Sequence, residues 1–122
     1  MKIQSYRELD VWKLAMELAD KIYDCTSQFP KEETYGLASQ MRRCAISIAS
    51  NIAEGSARSG TRELIQFIYV SKGSLAELET QCLFAQKRKY ISEVQLNETL
   101  EICDHVGRML ARLIQSLEKK AA

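Results

Sequence analysis

Chain breakers are almost absent from this sequence, and that scarcity limits the fold more than any motif does. One proline and five glycines serve all 122 residues. Pro30 is the only proline, and the residue before a proline is pushed out of the helical region, so Phe29-Pro30 is the clearest boundary in the chain. Elsewhere apolar residues recur at helical spacing over long stretches, and no strand-like alternation persists without a better helical reading. The expected architecture is all-α: an antiparallel up-down-up-down four-helix bundle forming a single domain over residues 1–122.

Ser5-Tyr6-Arg7-Glu8 fits a capping box, and Leu9, Trp12, Ala15, Ala19 and Ile22 follow it at helical spacing. The first helix is expected over about residues 6–28. The second covers about 35–57, with Gly55 near its exit and Ser59-Gly60 as a short turn. The third runs over about 61–89, and Gly73 inside it implies close approach of another backbone, since a mid-helix glycine costs ~1 kcal/mol relative to alanine. A second capping box, Ser92 to Gln95, opens a fourth helix over about 93–118.

The second helix carries two stripes. Met41, Ala45, Ile48 and Ile52 form an apolar face, and Gln40, Arg43, Ser47, Asn51 and Glu54 form a polar one beside it. Ser71, Ser74, Glu77 and Gln81 recur on the third helix, so an Arg43–Glu77 or Asn51–Ser74 contact would tie the two helices together. This structural network is the expected role of the stripe. A ligand groove is the alternative.

Catalytic chemistry finds little to use. His105 is the only histidine, and Cys103, two residues away, faces another side of a helix, so the two form no dyad. His105 reads as a surface or boundary residue. No glutamate stands three residues before it, as a helical di-iron site requires, and no glycine loop is shaped to hold phosphate. The expectation is no enzyme, no cofactor and no metal. Cys25, Cys44, Cys82 and Cys103 lack CxxC spacing and sit among apolar residues, which suits buried free thiols. No apolar run approaches the ~18 residues of a membrane span and Met1 to Gln4 do not begin a signal peptide, so a cytoplasmic location is expected.

Net charge is +1, which provides no global field to attract nucleic acid. Local clusters remain: Arg42 with Arg43, Arg58 with Arg62, and Lys87-Arg88-Lys89 beside Tyr90. Residues 31–62 hold five basic and three acidic residues, a small excess. Solvated surface is the default reading of these clusters, and phosphate contact the sharper one.

Several separated motifs resemble one family, the 23S ribosomal RNA intervening-sequence proteins. They are Tyr6-Arg7-Glu8-Leu9-Asp10-Val11-Trp12, Phe29-Pro30 with Glu33, Tyr35-Gly36-Leu37, Ser39-Gln40-Met41-Arg42-Arg43, Asn51-Ile52-Ala53-Glu54-Gly55, and Gly73 through Glu79. After Ser47-Ile48 this chain has Ala49 where the family commonly has proline. The resemblance implies a helical bundle that assembles into a ring, typically a pentamer. It also implies kinship with accessory proteins of diversity-generating retroelements, which bind nucleic acid and a reverse transcriptase. Two functions are then expected to compete. One is an oligomer that binds RNA or DNA through Arg42, Arg58, Arg62, Lys87, Arg88 and Lys89 repeated around a ring; the other is a protein-interaction scaffold with no nucleic-acid role.

Overall fold

A computed structural model of the chain describes residues 5–121. Four α-helices account for nearly all of it: α1 (Asp10–Thr26), α2 (Leu37–Ala57), α3 (Thr61–Lys87) and α4 (Glu93–Ala121). Two short 3-10 turns, Tyr6–Glu8 and Lys31–Glu33, precede α1 and α2. No strand occurs among the described residues.

The helix ends are set by side chains. The Ser5 hydroxyl accepts from the Arg7 amide at 3.2 Å and caps the 3-10 turn, while Leu9 is extended, so α1 starts at Asp10 rather than near residue 6. Tyr6 meets Trp12 edge-on at 5.4 Å, which folds the turn back over the helix it was expected to extend. At the start of α2 the Glu33 carboxylate accepts from the Leu37 amide at 3.1 Å and so replaces the missing cap. Tyr90 donates its hydroxyl to the same carboxylate and its ring lies 5.3 Å from Phe29, so one cluster closes that end of the molecule. Ser92 and Gln95 form the expected reciprocal capping box at 2.9 and 3.1 Å. Helix α3 stops two residues early because Lys89 takes a left-handed conformation, φ 64°, and Tyr90 then donates back to the Ala85 carbonyl.

Contacts between helices fix their order and register. Lys21 of α1 pairs with Glu98 of α4 at 2.9 Å, and Thr26 of α1 meets Arg42 of α2 at 2.8 Å. Between α2 and α3, Cys44 and Ser47 meet Ser74, Ile48 meets Ser71, and Gly55 lies against Leu64 and Phe67. The core between them is aliphatic: Leu18, Ile22, Met41, Ile48, Ile52, Ile68, Leu78, Val106 and Leu110 are fully buried.

Each helix also contributes one buried free thiol: Cys25, Cys44, Cys82 and Cys103. Burial pushes three of them up, Cys44 to about 11 and both Cys82 and Cys103 to about 12, so these stay protonated at neutral pH. Among the described residues no group of three or more His, Cys, Asp or Glu side chains could hold a metal ion. No helix among them is long and apolar enough to cross a membrane.

Candidate functional site

The polar stripe of α2 meets α3 through its smallest member, Ser47, joined there by Cys44 and the Ile48 carbonyl. The hydroxyls of Ser47 and Ser74 share a hydrogen bond at 2.6 Å, the Cys44 thiol donates to the Ser74 carbonyl at 3.0 Å, and buried Ser71 donates to the Ile48 carbonyl at 2.8 Å. The expected Arg43–Glu77 and Asn51–Ser74 contacts do not form. Gln40 and Arg43 are exposed, the Asn51 amide donates to Ser47 of its own helix, and Glu54 takes Arg58. Glu77 accepts from Gln81, whose own carbonyl oxygen Oε1 is buried without a donor. The two helices approach so closely at Ser71, Ser74 and Gly55 that long side chains are pushed to the rims. Small residues at facing positions were the signal for this. Asn51→Leu is therefore expected to lower stability by only about 1 kcal/mol, the scale of one intrahelical side-chain hydrogen bond. Thermal unfolding checks this, and loss of folding would mean that Asn51 holds the helices together after all.

The basic residues expected to share a surface are divided between the two ends of α3. Arg58 and Arg62 flank its start and Lys87, Arg88 and Lys89 its end, on a helix of 27 residues, ~40 Å long. Several of these cations are already engaged. Arg42 donates to the Thr26 hydroxyl at 2.8 Å and lies 4.6 Å over the Tyr23 ring, bracing α1 against α2. Arg58 pairs with Glu54 at 2.8 Å and sits over Phe67. Arg88 reaches over the ring of Tyr90. Arg43, assigned to the internal network from sequence, is instead the exposed member of the Arg42–Arg43 pair. It borders a groove of about 400 Å³ with Tyr23, Ile46, Ser50 and Asn51.

Sequence reasoning passed over the outer side of α4. His105, Arg108, Arg112 and Gln115 border a furrow of about 470 Å³ floored by Ala111. Val106, Leu110, Ile114 and Leu117 of the same helix are buried on the opposite side. Arg108 pairs with Asp104 at 2.8 Å, but both groups are about two-thirds exposed, and such i,i+4 surface pairs are worth only ~0.3–0.5 kcal/mol. Arg108 and Arg112 are themselves one turn apart, a like-charge spacing that costs a helix ~0.2–0.5 kcal/mol. Spacings of 3, 4, 3 and 4 from His105 through Arg108, Arg112 and Gln115 to Lys119 were the available signal. The even charge of the whole chain concealed it.

Besides the single exposed residues Tyr35 and Val94, apolar surface is grouped at two places. Helix α3 buries Leu64, Ile68, Leu75, Leu78 and Cys82 on one side and leaves Tyr69, Val70, Leu83 and Phe84 about half-exposed on another. Gly73 lies between these exposed residues, and a Cβ added there would meet nothing within 4 Å, so no backbone of this chain approaches it. The close approach occurs at Gly55 instead, where a Cβ would stand 2.6 Å from Cβ of Phe67. The second apolar place is a groove of about 460 Å³ on α1 and α2, bordered by Met16, Ala19, Tyr23 and Ile46.

This arrangement has known counterparts. The chain is similar to a crystal structure of a protein of unknown function from the S23 ribosomal protein family of Bacteroides thetaiotaomicron, with a TM-score of 0.79. The two are 19% identical, and the likeness covers 86% of this chain and 95% of the other, so it speaks for the shared fold. No curated protein matches the sequence. The model of the 23S rRNA-intervening sequence proteins matches residues 7–112, from the turn before α1 deep into α4. By that match over most of its length, the chain belongs to the 23S rRNA-intervening sequence protein family.

Proposed function

We propose that this protein is a non-enzymatic, self-assembling helical bundle, its helices antiparallel in up-down-up-down order, which associates with nucleic acid through basic side chains repeated around a ring. Between α2 and α3 the contacts Ser47–Ser74, Ile48–Ser71 and Gly55–Phe67 support opposite directions, since rising residue numbers meet falling ones. Thr26–Arg42 and Lys21–Glu98 each bring the later part of α1 to the earlier part of its neighbour. The observation that carries the assembly is the second apolar face of α3. Two pairs of large side chains there, Tyr69 with Val70 and Leu83 with Phe84, stand half in water on either side of an exposed glycine. The groove bordered by Met16, Tyr23 and Ile46 is a different surface, and two unlike surfaces that fit each other join copies head to tail. Such contacts close into a ring when the rotation between copies closes, and five copies is the number the family resemblance implies. Repetition multiplies weak cationic contacts into useful avidity, which suits a chain of net charge +1. A cytoplasmic location, and kinship with retroelement accessory proteins that work beside a reverse transcriptase, belong to the same reading.

Absolute mass in solution tests it. Light scattering behind a sizing column is expected to give about five times the 13.9 kDa of one chain. In Leu83→Glu/Phe84→Glu the mass is expected to fall to that of one chain with helicity retained, since both side chains are 51% exposed and the core stays intact. A monomeric wild type would sink the ring and leave the exposed face of α3 to a different protein, the scaffold reading. Partners that survive nuclease treatment would then be the finding.

A further inference from the structure

We propose that the outer ridge of α4 is the surface on which a nucleic-acid duplex lies, with His105, Arg108, Arg112 and Lys119 meeting its phosphates. The assignment rests on the nucleic-acid reading above and names the face that serves it. These residues follow one line along the helix, on the side away from buried Val106, Leu110 and Ile114. No neighbouring helix covers that line, and all four side chains are exposed.

Helix electrostatics does not explain the two arginines. Cations favour a helix C-terminus, but only within its last turn, which accounts for Lys119 and Lys120. Arg108 and Arg112 lie more than two turns inside α4, whose last residue is Ala121. There they repel each other, and no acidic residue stands three or four positions from Arg112. Among the described residues Asp104 is the acid paired with Arg108, and that exposed pair is easily exchanged for a phosphate. Arginine also suits the ligand, because its planar fork matches two phosphate oxygens at once.

The shape of the ridge selects a duplex. From His105 to Lys119 is 14 residues, ~21 Å of helix, whereas phosphates on one strand of a duplex advance ~3.4 Å each along its axis. An extended polyanion fits that length, and one phosphate group does not. Apart from the single imidazole of His105, no exposed ridge residue is aromatic, so the ridge offers no succession of rings on which the bases of a single strand would stack. Ala111 keeps the furrow floor low enough for a backbone to approach. The preceding half of the line, Glu98, Glu101 and Asp104, is acidic and confines the contact to the C-terminal half.

Fluorescence anisotropy on the full chain tests the assignment, using a 20-base-pair RNA duplex, the DNA duplex of the same sequence and a single RNA strand of equal length. Arg108→Gln/Arg112→Gln is expected to weaken duplex binding at least tenfold at low salt and to make the salt slope shallower by about 2, one for each arginine–phosphate pair removed. Lys13→Gln/Lys31→Gln removes equal charge from elsewhere and is expected to change affinity less than threefold. Both duplexes should bind alike and tighter than the single strand, and oligo-glutamate should displace neither. Circular dichroism of both variants should match the wild type, since every altered side chain is exposed. Equal weakening in the two variants, no weakening in the arginine variant, tighter single-strand binding, or displacement by oligo-glutamate would each overturn the α4 assignment while nucleic-acid binding itself stood. A wild type that binds none of the probes would overturn both.

Discussion

Gly55→Ala is expected to lower the free energy of unfolding by about 1–3 kcal/mol, although alanine is the better helix former. The added Cβ would stand 2.6 Å from Cβ of Phe67 and 3.0 Å from Cδ1 of Leu64. Leucine's tip can swing aside, but the Cβ of Phe67 is fixed to its backbone and moves only if α3 moves. Propensity returns ~0.5–1 kcal/mol, less than the strain of parting two packed helices. The same change at Gly73 meets nothing within 4 Å, so a lone chain would keep the whole propensity gain. Urea unfolding of the two variants should give opposite signs. A stabilised Gly55→Ala would mean that α2 and α3 are not in close contact. Gly73→Ala also reports on assembly, because in a ring it should stabilise the dissociated chain while weakening or sparing the contact.

Alkaline pH is expected to unfold the protein, starting near pH 9 and complete by about pH 12, through its thiols. Cys44, Cys82 and Cys103 have an ordinary value of 9.0, and burial raises them to about 11, 12 and 12 in the folded chain. A thiol that keeps its proton more firmly when folded adds stability that is complete below pH 9. That stability drains away as pH rises towards the folded value, because only the unfolded chain ionises in between. Each such thiol removes about 1.4 kcal/mol per pH unit, so three together remove ~4 kcal/mol per unit. With Cys44 contributing only up to about pH 11, the total lost by pH 12 is ~11 kcal/mol, enough to unfold a domain in all but the upper part of the usual range of about 5–15 kcal/mol. Chemical denaturation at pH 8 to 11 measures it. Cys103→Ala should flatten the slope by roughly a third, and an unchanged slope would put the cause in lysines or tyrosines instead.

Periodicity placed all four helices, because each buries a continuous apolar line that no strand could present. Their ends were harder to place, since they depend on contacts made by distant residues. The turn at residues 6–8 follows from Tyr6 meeting Trp12, and the start of α2 from Glu33 reaching Leu37. At the end of α3 a lysine, Lys89, occupies the left-handed position where glycine usually marks a stop. The glycines show the limit most clearly. Gly55 and Gly73 both sit inside helical patterns, and only knowing which neighbour lies on each side separates a close approach from open surface. The basic residues of α4 were visible as spacing, whereas the engagement of Arg42 by Thr26 and of Arg58 by Glu54 required the folded chain. The second apolar face of α3 was present as Tyr69, Val70, Leu83 and Phe84, hidden inside one long hydrophobic pattern.

The seam of Ser47, Ser71, Ser74 and Gly55 also bears on how the chain reaches its fold. Helices α2 and α3 are joined by only the three residues 58–60, so bringing them together closes a very small loop. Their contacts form without waiting for α1 or α4, and small side chains let the two backbones meet with little rotamer entropy to lose. This pair of helices is the expected nucleus, with α1 and α4 docking onto its apolar side afterwards, so Gly55→Ala is expected to slow folding more than it speeds unfolding in stopped-flow kinetics. During synthesis the pair can complete once Lys87 has emerged, while α4 is still held in the ribosomal exit tunnel. The growing chain therefore holds its α3 seam closed while Tyr69, Val70, Leu83 and Phe84 on the outer side of the same helix stay exposed.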